Sequence, residues 1–294
     1  MSTVRKRTTS VCVIAPPLAR KSASVSVTAS ADDHATWSTL YRRQRELLVG
    51  RACNEFLDAQ DAMGMTPDRI PKFAELNLAL EAATGWTLIG VEGLLPELDF
   101  FDHLANRRFP VTWWIRRPDQ IDYIEEPDLF HDLFGHVPLL MNPVFADYME
   151  AYGRGGVKAH GIGADALQNL TRLYWYTVEF GLMQEAEGLR IYGAGIVSSA
   201  TESVFALDDP SPNRIGFDLE RVMRTLYRID DFQQVYFVID SLEALKAETL
   251  KDFGPVYEAL KGRGEIAVDA VLPEDRLITR GTQSYAARGG RFAA

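Results

Sequence analysis

Apolar residues recur at three- and four-residue steps through Trp37, Leu40, Tyr41, Leu47, Leu48, Ala52, Phe56 and Leu57, a spacing that predicts one long amphipathic helix. Pro71 is placed to open a second helix carrying Phe73, Leu76 and Leu80, and Gly85 stands where a C-terminal cap belongs. Short strand-like pieces follow at 87–91 and 111–115, with a helical stretch at 95–104 between them. Further helices are expected over 127–134, 143–152, 164–181, 219–227 and 241–253, and a strand over 234–239. The pattern describes a mainly α chain with small β elements, an α+β class, and no fixed-period repeat. One domain over 33–270 is expected. Residues 1–32 lack periodicity and read as a disordered basic tail, and 271–294 read as an irregular C-terminal tail. An acid-free, Arg- and Ser-rich start also resembles an organellar transit peptide, but amphipathic spacing is missing.

Composition narrows the class. The 294 residues are 47% hydrophobic, enough to bury one sizeable core. Apolar runs such as 235–239 are far too short to span a bilayer, and the start has no secretory hydrophobic stretch. Two cysteines, Cys12 and Cys53, cannot make a disulfide framework or a four-thiolate site. A reducing, cytoplasmic compartment fits, and any metal must be held mainly by histidines and carboxylates. The net charge of −10 argues against nucleic acid as a partner. That average hides a split: residues 1–30 carry five basic residues and no acid, leaving 26 basic against 41 acidic residues elsewhere.

The chemistry concentrates in Glu126-Pro-Asp-Leu-Phe-His131-Asp132-Leu-Phe-Gly135-His136-Val-Pro138. Two side chains five residues apart on an ideal α-helix diverge by roughly 140°, so a continuous helix would not aim both at one ion. Gly135 and Pro138 predict a helix ending near Gly135, with His136 beyond it and free to swing back. The spacing, and Asp132 after the first histidine, do not fit the zincin pattern. On this window alone, a helix-end cap plus a core histidine explains the residues equally well. A second segment, 173–181, is almost wholly apolar and aromatic apart from Glu179. A carboxylate on such a buried helix needs a partner, either an arginine or a metal. His131, His136 and Glu179 together make the two-histidine, one-carboxylate set of non-haem Fe(II) oxygenases. His34, His103 and His160 read as solvated or structural.

The run 127–138, the 174–181 segment and Tyr192-Gly-Ala-Gly-Ile-Val-Ser-Ser199 resemble, in order, motifs of the tetrahydrobiopterin-dependent aromatic amino acid hydroxylases. The resemblance extends from about Trp37 to about Tyr257 and is strongest to short bacterial members that act on phenylalanine. It implies a mostly helical domain around Fe(II) and a tetrahydropterin, converting L-phenylalanine to L-tyrosine with O2. It further implies that His131, His136 and Glu179 hold the iron, and that Arg116 clamps the substrate carboxylate, as a guanidinium suits. Trp175, Gly195, Ser198 and Ser199 resemble further walls of the amino acid site, where ordinary packing and a plain turn are the alternatives. Gly93, Leu94, Leu95, Phe100, Asp132 and Tyr174 map to the pterin side, with Phe100 resembling the ring that stacks on it. Two departures stand out: Asp132 replaces the glutamate of animal members, and Ile124 replaces a threonine of their substrate pocket. Regulatory and tetramerisation segments of adequate length have no counterpart, so a monomer is expected. Tyrosine or tryptophan hydroxylation shares the same metal motif, and only short length by analogy favours phenylalanine. A zinc hydrolase with the same ligands would need a base beside the first histidine. A helical binding protein with structural histidines would bind neither metal nor pterin.

Overall fold

The computed structural model describes residues 29–290 except Tyr123 and Glu125, so most of the basic tail lies outside the described residues. Helix α1 (Ala31–Leu48) starts at a capping box in which Ser30 and Asp33 satisfy each other's backbone N–H groups. The predicted single helix through Leu57 is two. Gly50 turns the chain in the left-handed region (φ 72°), and α2 (Asn54–Ala62) starts again beyond it. Helix α3 (Phe73–Ala83) ends before Gly85, also left-handed, as expected for a cap. Strand β1 (Thr87–Val91) and β2 (Arg108–Thr112) pair in parallel around α4 (Glu97–Ala105). The second strand thus lies three residues earlier than its apolar run suggested.

Helix α5 (Pro143–Ile162) runs ten residues past its predicted end and packs on α4 and on α6 (Ala164–Tyr174). Strands β3 (Leu182–Glu185) and β4 (Gly188–Ile191) form a hairpin. Helices α7 (Ala194–Val197) and α8 (Ala200–Asp208) lead to β5 (Asn213–Gly216) and α9 (Leu219–Arg224). Strand β6 (Val235–Ile239) is followed by α10 (Leu242–Thr249), inside the helix expected over 241–253, and by a further helix α11 (Phe253–Leu260) that periodicity does not predict. The five-stranded sheet runs β4-β3-β6-β5-β7, with β7 at Leu277–Thr279. Every residue of β6 is buried and apolar, so it reads as a continuous apolar run, whereas the equally buried β5 carries Asn213, Arg214 and Gly216 and does not. The architecture is mainly α with a small mixed sheet. Among the described residues, no helix is long and apolar enough to cross a membrane.

Two packing features set the site. The buried stripe of α1 places Trp37 edge-on to Phe130 (5.5 Å) and Tyr41 edge-on to Phe134 (5.4 Å), and Phe130 and Phe134 stack on each other at 4.7 Å. The histidine-bearing segment is therefore held from behind by an aromatic wall. The C-terminal stretch expected to be irregular is tied into the body. Residues of β7 pair with β5, and a short helix α12 (Ser284–Ala287) follows. Arg221 on α9 forms a fully buried pair with Asp275 (2.9 Å) and also donates to Ala270 O. Asp275→Ala would leave that guanidinium without its carboxylate; a loss of about 3–5 kcal/mol is expected, read as a fall in the denaturant midpoint.

Candidate active site

Each of the two metal-motif segments departs from α geometry at the same kind of point. His131–His136 is a π-helical turn in which Val137 N–H donates to Asp132 O, five residues back. Trp175–Glu179 is another, closed by Phe180 N–H donating to Trp175 O. An i→i+5 turn brings residues five apart towards one face, so both histidines face one point without the helix ending. The expected break at Gly135 is thus corrected. A Cβ on Gly135 would fall 2.9 Å from Ala194 O, so the glycine serves the close approach of α7 rather than a cap.

The two imidazole Nε2 atoms lie 3.0 Å apart. Glu179 presents one carboxylate oxygen 3.2 Å from His136 Nε2 and the other 3.6 Å from His131 Nε2. The alternative of an ion pair with arginine is not realised, because the carboxylate turns to the histidines. Burial works to raise the Glu179 carboxyl, but His136, His131 and the Gly195 N–H outweigh it and hold it below the usual range. Ser198 Oγ donates to Ala194 O (2.7 Å) and lies 2.9 Å from His131 Nδ1. The hydroxyl proton being committed, Ser198 accepts from Nδ1–H, which leaves the His131 Nε2 lone pair aimed at the cluster. Burial lowers the His131 pKa to about 4, so a shared proton is a poor answer to two facing nitrogens. A divalent cation answers it, and two imidazoles with one carboxylate suit Fe(II).

Asp132 also lies within 4.8 Å of both histidines and competes as a third ligand. Its Oδ2 already accepts from Thr112 N (2.7 Å) and Thr112 Oγ1 (2.9 Å), and burial pushes its pKa up to about 7. Glu179, ionised and facing both nitrogens, is the better donor. Asp132 ties the end of β2 to the histidine turn.

A cavity of about 530 Å³ opens onto this cluster. His131, Glu179, Arg116, Trp175, Gly195, Ser198 and Ser199 all line it, as does Leu94. The predicted metal and amino acid sets thus meet in one place, and Ile124 adds an apolar wall. Arg116 is not a solvated charge beside Arg117 but a buried one. Asp128 accepts from its Nε (2.8 Å), Nη2 (3.0 Å) and backbone N (2.9 Å), and also from His131 N (3.0 Å). Asp128 was not singled out from sequence; an acid in the apolar run just before the first histidine was the available signal. The loop 228–233, also unforeseen, forms the far wall, and Gln233 Oε1 accepts from Trp175 Nε1 at 3.1 Å. On the other side of the cluster, Tyr174 lies 6.2 Å from the His136 ring and 5.8 Å, edge-on, from Phe100. Gly93 and Leu95 flank Leu94 in the β1–α4 connection, which brings only Leu94 to the cavity.

Residues 2–260 match the family model for biopterin-dependent aromatic amino acid hydroxylases. The chain belongs to that family. It is 63% identical over 261 residues to a phenylalanine-4-hydroxylase of Caulobacter vibrioides, covering 89% of this chain and 88% of the relative. It is 59% identical to the Chromobacterium violaceum phenylalanine-4-hydroxylase, covering 86% and 84%. The crystal structure of that Chromobacterium enzyme with bound iron(III) and 7,8-dihydrobiopterin superposes with a TM-score of 0.81 at 58% identity, covering 85% of this chain and 89% of that one. Family membership agrees with the donor set and with an iron and pterin requirement.

Ser198→Ala would remove the acceptor that fixes the His131 tautomer. The expected outcome is a roughly 10–100-fold loss of Fe(II) affinity, measured by anaerobic titration, with little change in thermal midpoint. Unchanged affinity would reduce Ser198 to packing.

Proposed function

We propose that this chain is a phenylalanine 4-monooxygenase, converting L-phenylalanine to L-tyrosine with O2 and a tetrahydropterin at a non-haem Fe(II). The observation that carries the reading is the convergence of His131, His136 and Glu179 beside a cavity that His131 and Glu179 line and whose wall holds a buried, pre-oriented arginine. In this reading those three side chains hold the iron, which together with the pterin supplies the activation of O2. Everything else is the work of the chain.

Arg116 binds the substrate carboxylate. Asp128 takes its Nε and one Nη2 hydrogen, so the guanidinium plane is fixed before substrate arrives and little entropy is lost on binding. Trp175, Phe180, Ile124 and Pro127 make the cavity wall that receives the aromatic ring and keeps water out. Gly195, Ser198 and Ser199 close the same wall, and Gly195 N–H supports Glu179. Gly93, Leu94, Leu95, Phe100, Asp132 and Tyr174 would hold the pterin, which would supply reducing electrons. Stacking on Phe100 contributes about 0.5–1.5 kcal/mol beyond area burial. A soluble, monomeric, cytoplasmic enzyme belongs to the same reading, and the free, buried Cys53 agrees with a reducing compartment.

The test is product analysis with Fe(II), a tetrahydropterin and O2, supplying phenylalanine, tyrosine or tryptophan separately. Tyrosine formed from phenylalanine, dependent on both iron and pterin, is the expected result; no product with iron bound would sink the reading. Glu179→Ala should lose iron and turnover together, checked by metal analysis and tyrosine formation. Full activity at normal iron content would remove Glu179 from the ligand set. Arg116→Ala should raise the KM for phenylalanine roughly 10–100-fold, the worth of a charge-assisted pair, while an unchanged KM would move the clamp elsewhere.

A further inference from the structure

The far wall of the cavity, 228–233, is held from outside by residues beyond the stretch that the family model matches. Tyr285 OH donates to Asp231 Oδ1 (2.9 Å), a carboxylate only 6% exposed. The Tyr285 ring sits edge-on to Phe205 (5.1 Å) and tilted against Phe232 (5.3 Å), and Phe232 in turn stacks on Phe205 at 4.4 Å. The segment that carries Tyr285 is itself anchored. Gly281 N donates to Asn213 Oδ1 (2.9 Å), Tyr285 N to Ser211 Oγ (2.9 Å), and Gln283 Nε2 to Gln234 O (3.0 Å). Next to Phe232, buried Gln233 donates from Nε2 to Arg228 O (2.7 Å) and accepts from Trp175 Nε1, so it links the wall to the ring expected to contact substrate.

We infer that Tyr285 is a positioning residue for the amino acid site, acting through Asp231, Phe232 and Gln233 on Trp175. The inference rests on the functional reading above. Asp231 also accepts from Phe232 N (2.8 Å) and lies 3.7 Å from Arg228 Nη2, both within the loop, so losing the tyrosine hydroxyl takes from the loop this hydrogen bond to the 281–285 segment. The consequence falls on how the substrate is held, because the loop's hydrogen bond goes to Trp175 and not to His131, His136 or Glu179.

The decisive variant is Tyr285→Phe, which keeps the aromatic packing and removes only the hydroxyl. Two readouts are taken on the full chain. Hydrogen exchange of the 226–234 amides should accelerate at least about twofold, while the histidine turn stays as protected as before. The KM for phenylalanine should rise roughly three- to tenfold with kcat and iron content little changed. Unchanged exchange overturns the inference, and so does faster exchange with an unchanged KM. If the unaltered protein forms no tyrosine, the functional reading fails by itself, and the exchange measurement still decides whether Tyr285 holds the wall.

Discussion

Two imidazole nitrogens and a carboxylate sit within 3.6 Å of one another at the edge of a buried aromatic core. Left to themselves, such groups separate or trade a proton. Burial disfavours the protonated imidazole, and no arginine among the described residues pairs with the carboxylate. Holding them together requires backbone geometry that an ordinary helix does not supply. Both segments adopt it: each takes a π turn where its ligand side chains emerge, and each is braced by packing that a free helix would lack. Phe130 and Phe134 lean on α1, and α7 fits against Gly135 so closely that a methyl group would not be accommodated.

The same logic of fixing charge before it is needed extends to the substrate side. Arg116 is costly to bury, and Asp128 offsets that cost with a bidentate pair. Asp128 also accepts from His131 N, so Arg116 and the histidine turn share one anchor. Ser198 performs the corresponding task for His131, and Gln233 for Trp175. Arg116, His131 and Trp175 are therefore each oriented by a hydrogen-bonded neighbour, Asp128, Ser198 and Gln233 respectively. Those neighbours come from distant parts of the chain: the 228–233 loop, the α7 turn and the stretch before the first histidine.

What could be read without coordinates was the part that rests on local chemistry. A lone glutamate in an aromatic run announces a buried carboxylate, and only together with it do the two histidines of the 126–138 run point to a shared metal. Periodicity located the main helices and the fully buried strand β6. It misjudged places where tertiary contacts outvote local pattern. Helix α1 ends before Gly50, and residues 277–287 join the body instead of trailing off; the hairpin from Leu182 to Ile191 gave no periodic signal at all. Short, amphipathic or edge strands carry too few residues to show a period, and their identity comes from partners far along the chain.

The sequence by itself determined the donor set, the apolar lining, the mainly helical class and the family resemblance, because these depend on residue types and their spacing. The tertiary structure alone decided how the donors converge. Five-residue spacing on a regular helix points two histidines apart, and only the packing of α1 and α7 around a π turn reverses that. It also decided that Arg116 is buried and held by Asp128, and that the 281–285 segment reaches the cavity wall. No local signal encodes either fact, since each is a contact between segments whose proximity exists only after the chain has folded.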